Sequence, residues 1–176
     1  MKKYTLREMA QLMAPKPIAF TGIKGSTKIA VGRFSDVACD LSAPISLNAA
    51  SHYKIELHLT VYMDSDYYVN KALMLQAQIG TLSTTYTTIT EIKGSDTSEH
   101  SLDLVLDVPK GVGISQAKQI IFRRDADNGY AWGNLNVRVD DITATNLDAK
   151  TVASETLTEC LTIIGDYVRS HPELGG

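Results

Sequence analysis

Between His52 and Met63 apolar and polar residues change places at every step. Tyr53, Ile55, Leu57, Leu59, Val61 and Met63 alternate with His52, Lys54, Glu56, His58, Thr60 and Tyr62. Period two over such a length is the mark of a β-strand with one face buried and the other largely polar. A register slip of one residue would turn every side chain to the wrong face, so this segment commits the chain to a sheet with an apolar side.

Weaker copies of the pattern extend that sheet. Leu102, Leu104, Leu106 and Val108 alternate with Asp103, Val105 and Asp107, and Pro109-Lys110-Gly111 ends the strand. Leu135, Val137 and Val139 alternate with Asn134, Asn136, Arg138 and Asp140. The threonine-rich stretch from Leu82 to Ile92 favours a further strand. Pro17 to Ile23 and Lys28 to Arg33 are β-prone runs around Lys24-Gly25-Ser26-Thr27, which predicts an N-terminal hairpin. Residues 35–51 carry Pro44 and read as a connection with one short strand at most. Residues 94–100 read as a loop, and 67–79 and 114–124 stay open between strand and helix.

Helical spacing is confined to the two ends. Thr5-Leu6-Arg7-Glu8 has the form of a capping box, followed by Leu6, Met9, Leu12 and Met13 at helical spacing and stopped by Pro15 and Pro17. Ala153, Leu157, Cys160, Leu161, Ile164 and Val168 recur at three and four, while Glu155, Glu159, Asp166 and Arg169 lie elsewhere on the wheel. That predicts an amphipathic helix of roughly five turns over 152–168, closing near Ser170-His171-Pro172. The expected fold is therefore α+β: an antiparallel sheet with an N-terminal hairpin and a C-terminal amphipathic helix, in one domain over 1–176.

Composition narrows the function. A chain of 176 residues with 44% hydrophobic and 21% charged content can build its own core. A net charge of −3 is unlike that of an overall basic nucleic-acid binder, so any RNA contact needs a local patch. No run approaches the roughly 20 apolar residues of a membrane span, and no apolar signal core follows Met1-Lys2-Lys3. No membrane partner is expected. Cys39 and Cys160 lack metal-ligand spacing and read as small buried side chains or as a disulfide pair.

Catalytic and metal motifs are weak throughout. His52, His58, His100 and His171 have no ligand spacing. Asp125-Ala126-Asp127-Asn128-Gly129 opens like a calcium loop, but its glycine comes early and Asn136 stands where the bidentate glutamate belongs, so an Asn-Gly turn competes with that reading. Gly111-Val112-Gly113 lacks both the third glycine of a dinucleotide fingerprint and the lysine of a phosphate loop. Asp103 and Asp107 share a strand face about 13 Å apart by strand rise, too far for paired glycosidase carboxylates. The expectation is a protein that is not an enzyme and needs neither metal nor cofactor.

Three blocks carry a resemblance: Tyr53-Lys54-Ile55-Glu56-Leu57-His58-Leu59, Leu104-Val105-Leu106-Asp107-Val108-Pro109-Lys110, and Leu135-Asn136-Val137-Arg138-Val139 leading through Ala144-Thr145-Asn146 into the terminal helix. In this order they resemble the coat proteins of single-stranded RNA bacteriophages, the leviviruses, over roughly a third of the chain. The resemblance implies a dimer with sheets joined edge to edge, helices crossing onto the partner's sheet, and assembly into an icosahedral shell around RNA. It places the protein in a virion assembled in the cytoplasm of a bacterial host. It also implies that Lys54, Glu56, His58, Asn136 and Arg138 meet the RNA, which includes a genomic hairpin in some members.

On this reading the apolar faces of 53–63 and 152–168 are buried between subunits. The rival readings are another phage structural part, such as a tail-tube or connector subunit, and a small enzyme or ligand-binding domain with its site around His58 and Arg138.

Overall fold

The computed structural model describes residues 18–64, 73–90, 92, 96–126 and 133–148, with 162, 165, 166, 169 and 170 further on. The chain divides into two compact units, Ile18–Thr145 and the terminal segments Met1–Pro17 with Asn146–Gly176. The strands are β1 (Ile18–Ile23), β2 (Ile29–Val31), β3 (Asp36–Leu47), β4 (Tyr53–Met63), β5 (Leu73–Ile79), β6 (Leu82–Ser83), β7 (Thr87–Ile89), β8 (His100–Val108), β9 (Ile114–Ala126) and β10 (Leu135–Asn146). One sheet runs β1-β10-β4-β8, with β2 also on β10. The other runs β3-β9-β5-β6, with β7 also on β5.

The alternation in 53–63 is realised in full. Tyr53, Ile55, Leu57, Leu59, Val61 and Met63 are each at most 4% exposed, while Lys54, Glu56, His58 and Tyr62 stay half-buried on the other side. Their apolar row joins Leu104, Leu106 and Val108 of β8 and Val137 and Val139 of β10. Leu73, Leu75, Ala77 and Ile79 of β5, and Ile120 and Phe122 of β9, belong to the same core from the second sheet. One chain thus buries both apolar faces against each other, which is the usual reason for two stacked sheets.

This corrects the α+β expectation, because among the described residues every element of the fold is a strand. The cover over the apolar face of β4 is a second sheet, built largely from segments that read as a connection or as ambiguous. It also removes the idea that the apolar face of 53–63 is kept for a neighbouring subunit, since that face is consumed inside one chain. Most of the predicted helix over 152–168, and the N-terminal one over 5–13, lie outside the described residues. Thr162, Gly165, Asp166, Arg169 and Ser170 carry helical backbone but make no element of the fold.

The N-terminal hairpin is also corrected. β1 and β2 do not pair with each other; both pair with β10. The reason lies in the link between them. Gly25 donates its N–H to the Val139 carbonyl (3.0 Å), Ser26 to that of Asp40 (2.8 Å), and Ser42 donates to the Lys24 carbonyl (2.8 Å). Instead of closing a tight turn, the link spends its backbone groups joining β10 of one sheet to β3 of the other.

The approach at Gly25 leaves no room for a side chain. A Cβ there would stand 2.8 Å from the Cys39 sulfur and 3.1 Å from the Val139 Cβ. Cys39 is a fully buried free thiol whose pKa burial pushes up; Cys160 lies outside the described residues. Gly25→Ala should therefore destabilise the sandwich by about 1–3 kcal/mol, the usual cost of overpacking a tight core. Urea unfolding followed by circular dichroism measures it, and a loss below about 0.5 kcal/mol would show that the link is not a tight closure.

Candidate functional site

The polar face of the first sheet is where the sequence placed its site residues. Because β4 lies between β10 and β8, its outward side chains have neighbours on both sides. Along β8 the ladder sets Lys54 opposite Asp107, Glu56 opposite Val105, His58 opposite Asp103 and Thr60 opposite Ser101. The pairing runs without a shift for nine consecutive residue pairs, Tyr53↔Val108 to Val61↔His100.

Charge on this face is largely matched locally. Lys54 pairs with Glu56 (2.9 Å), the His58 Nδ1 with Asp103 (2.8 Å), and the His52 Nε2 with Asp107 (2.6 Å). The Arg138 guanidinium donates to Asp140 (2.7 Å), to Glu99 (3.2 Å) and to the Thr60 hydroxyl (3.0 Å), and Thr60 in turn donates to Asp140 (2.5 Å). Lys28 bonds the Tyr62 hydroxyl and sits over its ring. Among the described residues, Lys24, Lys28, Lys54 and Arg138 thus stand with Glu56, Glu99, Asp103, Asp107 and Asp140, four cations against five carboxylates. Such a face attracts phosphate poorly.

Of the five residues that the resemblance singled out, the structure brings four together. Lys54, Glu56 and His58 form one row on β4, and Arg138 reaches that row through Thr60. Asn136 does not join them. It is 6% exposed on β10 opposite Ala30, and its Nδ2 finds no acceptor among the described residues. Leu135, Asn136 and Val137 are buried in succession, and alternation, which gives the face of a strand residue and not its cover, does not predict that Asn136 is buried.

Other participants were hidden because they depend on pairing between distant segments. Glu99, Thr60 and Asp140 complete the Arg138 cluster, and Val105 stands 53% exposed between Asp103 and Asp107.

On the second sheet, Arg123 grips Asp36 with two bonds of 2.6 Å, and this holds the Asp36 carboxyl below its usual range. An open depression of about 460 Å³ on that sheet is lined by Asp40, Gln78, Lys118, Gln119 and Ile121 among others. Among the described residues, no group of three His, Cys, Asp or Glu side chains is placed to hold a metal ion. The Asp125–Gly129 segment lies mostly outside the described residues.

No protein-family model and no curated protein matches this chain. Among solved structures it is similar to VP2 of infectious bursal disease virus in three forms. These are a mutant in derived T=1 particles (TM-score 0.31), derived T=1 particles (0.30) and a subviral particle (0.29). Each is 12% identical and is matched over 73% of this chain, but over only 36–38% of its own length. A likeness at this level fixes neither fold family nor role. The leviviral plan, one sheet covered by helices, is not the architecture observed.

Asp140 offers a pH test of the Arg138 cluster. Partial burial works to raise its carboxyl, but the bonds from Thr60 and Arg138 outweigh that and lower it, while Asp140 and Glu99 raise the Arg138 guanidinium. A carboxylate lowered in the folded state stabilises above its unfolded pKa near ~3.9 and loses that as pH falls through the folded value. The stability gap between wild type and Asp140→Asn should be full at neutral pH and shrink below about pH 4. A gap independent of pH in thermal unfolding would contradict the cluster.

Proposed function

We propose that this chain is a structural, non-catalytic subunit that assembles with copies of itself into a capsid-type shell. The observation that carries the proposal is the free edge of β8. Among the described residues no strand pairs with its far side. Unpaired edges are usually blunted by bulges, prolines, lysines or brevity. β8 is nine residues long, pairs with β4 without a bulge, and contains neither proline nor lysine.

Its guards are Asp103 and Asp107, each already paired with an imidazole. Two β8 strands related by a two-fold axis through Leu104 set Asp103 opposite the partner's Val105 and Asp107 opposite the partner's Ser101. An axis through Val105 would instead oppose Asp103 to the partner's Asp107 and cost the pairing its stability. The Leu104 register is the one expected for a homodimer.

Single-stranded RNA against the outer face of β4 remains part of the proposal as cargo, through Lys54, His58 and Arg138. With cations outnumbered there by carboxylates, assembly is expected to proceed without it. A virion is the corresponding location.

Amide hydrogen exchange tests the edge. The alternate amides of β8 that its pairing with β4 leaves unbonded should exchange fast in dilute monomer and slowly in the associated species. Unchanged exchange across residues 100–108 on association would rule the edge out. A chain that never associates would favour the rival reading of a small binding domain.

A further inference from the structure

An isologous pair through β8 stops at a dimer, because both copies use the same surface; a shell or tube also needs a heterologous contact. The geometry points to one: the exposed Phe34 of one copy seats against Val105 on the outer face of β8 of another copy. This inference rests on the self-assembly reading above.

Phe34 sits where the chain passes from the first sheet to the second. Its N–H donates to the Arg124 carbonyl (3.3 Å), and its φ is +58°, a left-handed conformation costly for a bulky side chain. There it stands 71% exposed, the most exposed large apolar side chain described. The Arg33 guanidinium lies 4.4 Å from the ring centroid. An exposed aromatic side chain with an arginine against its face is a composition enriched at protein interfaces.

The acceptor follows from charge. Ile18, Tyr86, Val105 and Val112 are the other exposed large apolar residues described. Of these, Val105 alone has carboxylates two residues away on both sides of the same strand face, Asp103 and Asp107, with Glu56 across the ladder. Phe34 would cover Val105 while Arg33 approaches the two aspartates, joining apolar to apolar and cation to anion. Knob and acceptor are different patches, so the contact is head-to-tail and can propagate.

Complementation tests it. Phe34→Ser lacks the knob and Val105→Ser lacks the acceptor. Phe34→Gly, suited to the positive φ, is the alternative should the serine variant fold poorly. Each alone should raise the concentration for half-assembly beyond the dimer by at least about tenfold in sedimentation velocity. The slow exchange of β8 edge amides should persist in the Phe34 variants, which leave β8 unchanged. Mixing the two variants should give species beyond the dimer that neither forms alone, since the Phe34 of one meets the Val105 of the other, while the reciprocal contact stays empty and wild-type assembly is not reached. Variants that assemble like wild type, or a mixture no better than its parts, would overturn the contact and leave the edge pairing standing. A wild-type chain that stays monomeric would overturn the assembly reading itself, and this contact with it.

Discussion

Everything in this molecule depends on how the apolar side of β4 is satisfied. Six alternating side chains from Tyr53 to Met63 can be removed from water only once. Burying them against a neighbouring molecule would leave an isolated chain with a bare sheet. Burying them against a second sheet of the same chain makes each copy a finished body. The structure takes the second course, with β5 and β9 opposite and Leu57, Leu75 and Phe122 all fully buried. The contacts between copies proposed above would then have to come from edges and outer faces, where fewer apolar groups are available and each contact is weaker.

The two sides of the sandwich are treated differently. At one, the Lys24–Ser26 link ties Val139 to Asp40 and so bridges the two sheets. At the other, β8 ends its sheet with a straight ladder whose outward row is Ser101, Asp103, Val105 and Asp107. Aspartates on an edge discourage indiscriminate pairing, and the imidazoles of His58 and His52 moderate that discouragement without removing it. Selectivity for one register over another is what such a row provides, because a shift by two residues decides whether carboxylates meet.

How much of this was legible in the sequence follows from how regular each strand is. β4, and β8 from Leu102 to Val108, show unbroken alternation, and both are strands where expected. β10 is readable only to Val139, because Asp140 and Asp141 interrupt the buried pattern before Ile142 resumes it in the opposite phase. β3 was missed for a different reason. Val37, Cys39, Leu41, Ala43, Ile45 and Leu47 do keep period two, but Pro44 inside the run reads against a strand, and the register with β9 shifts there. β9 offers the run Ile120-Ile121-Phe122 followed by Arg123 and a buried Arg124, which fits neither template. Without β3, β5 and β9 the apolar face of β4 had no visible partner, and a helix was the natural candidate to cover it. On the site, alternation placed Lys54, Glu56, His58 and Arg138 correctly on the polar side. It could not supply Glu99 or Thr60 as the partners of Arg138, since those come from cross-strand pairing of distant segments.

The account turns on self-assembly, and negative-stain electron microscopy of the purified chain, with an ultraviolet spectrum of the same sample, tests it most directly. Uniform closed or tubular particles are predicted, whether or not the spectrum shows nucleic acid. A field without particles, from a sample that sediments as a single 19.2 kDa species, would contradict it.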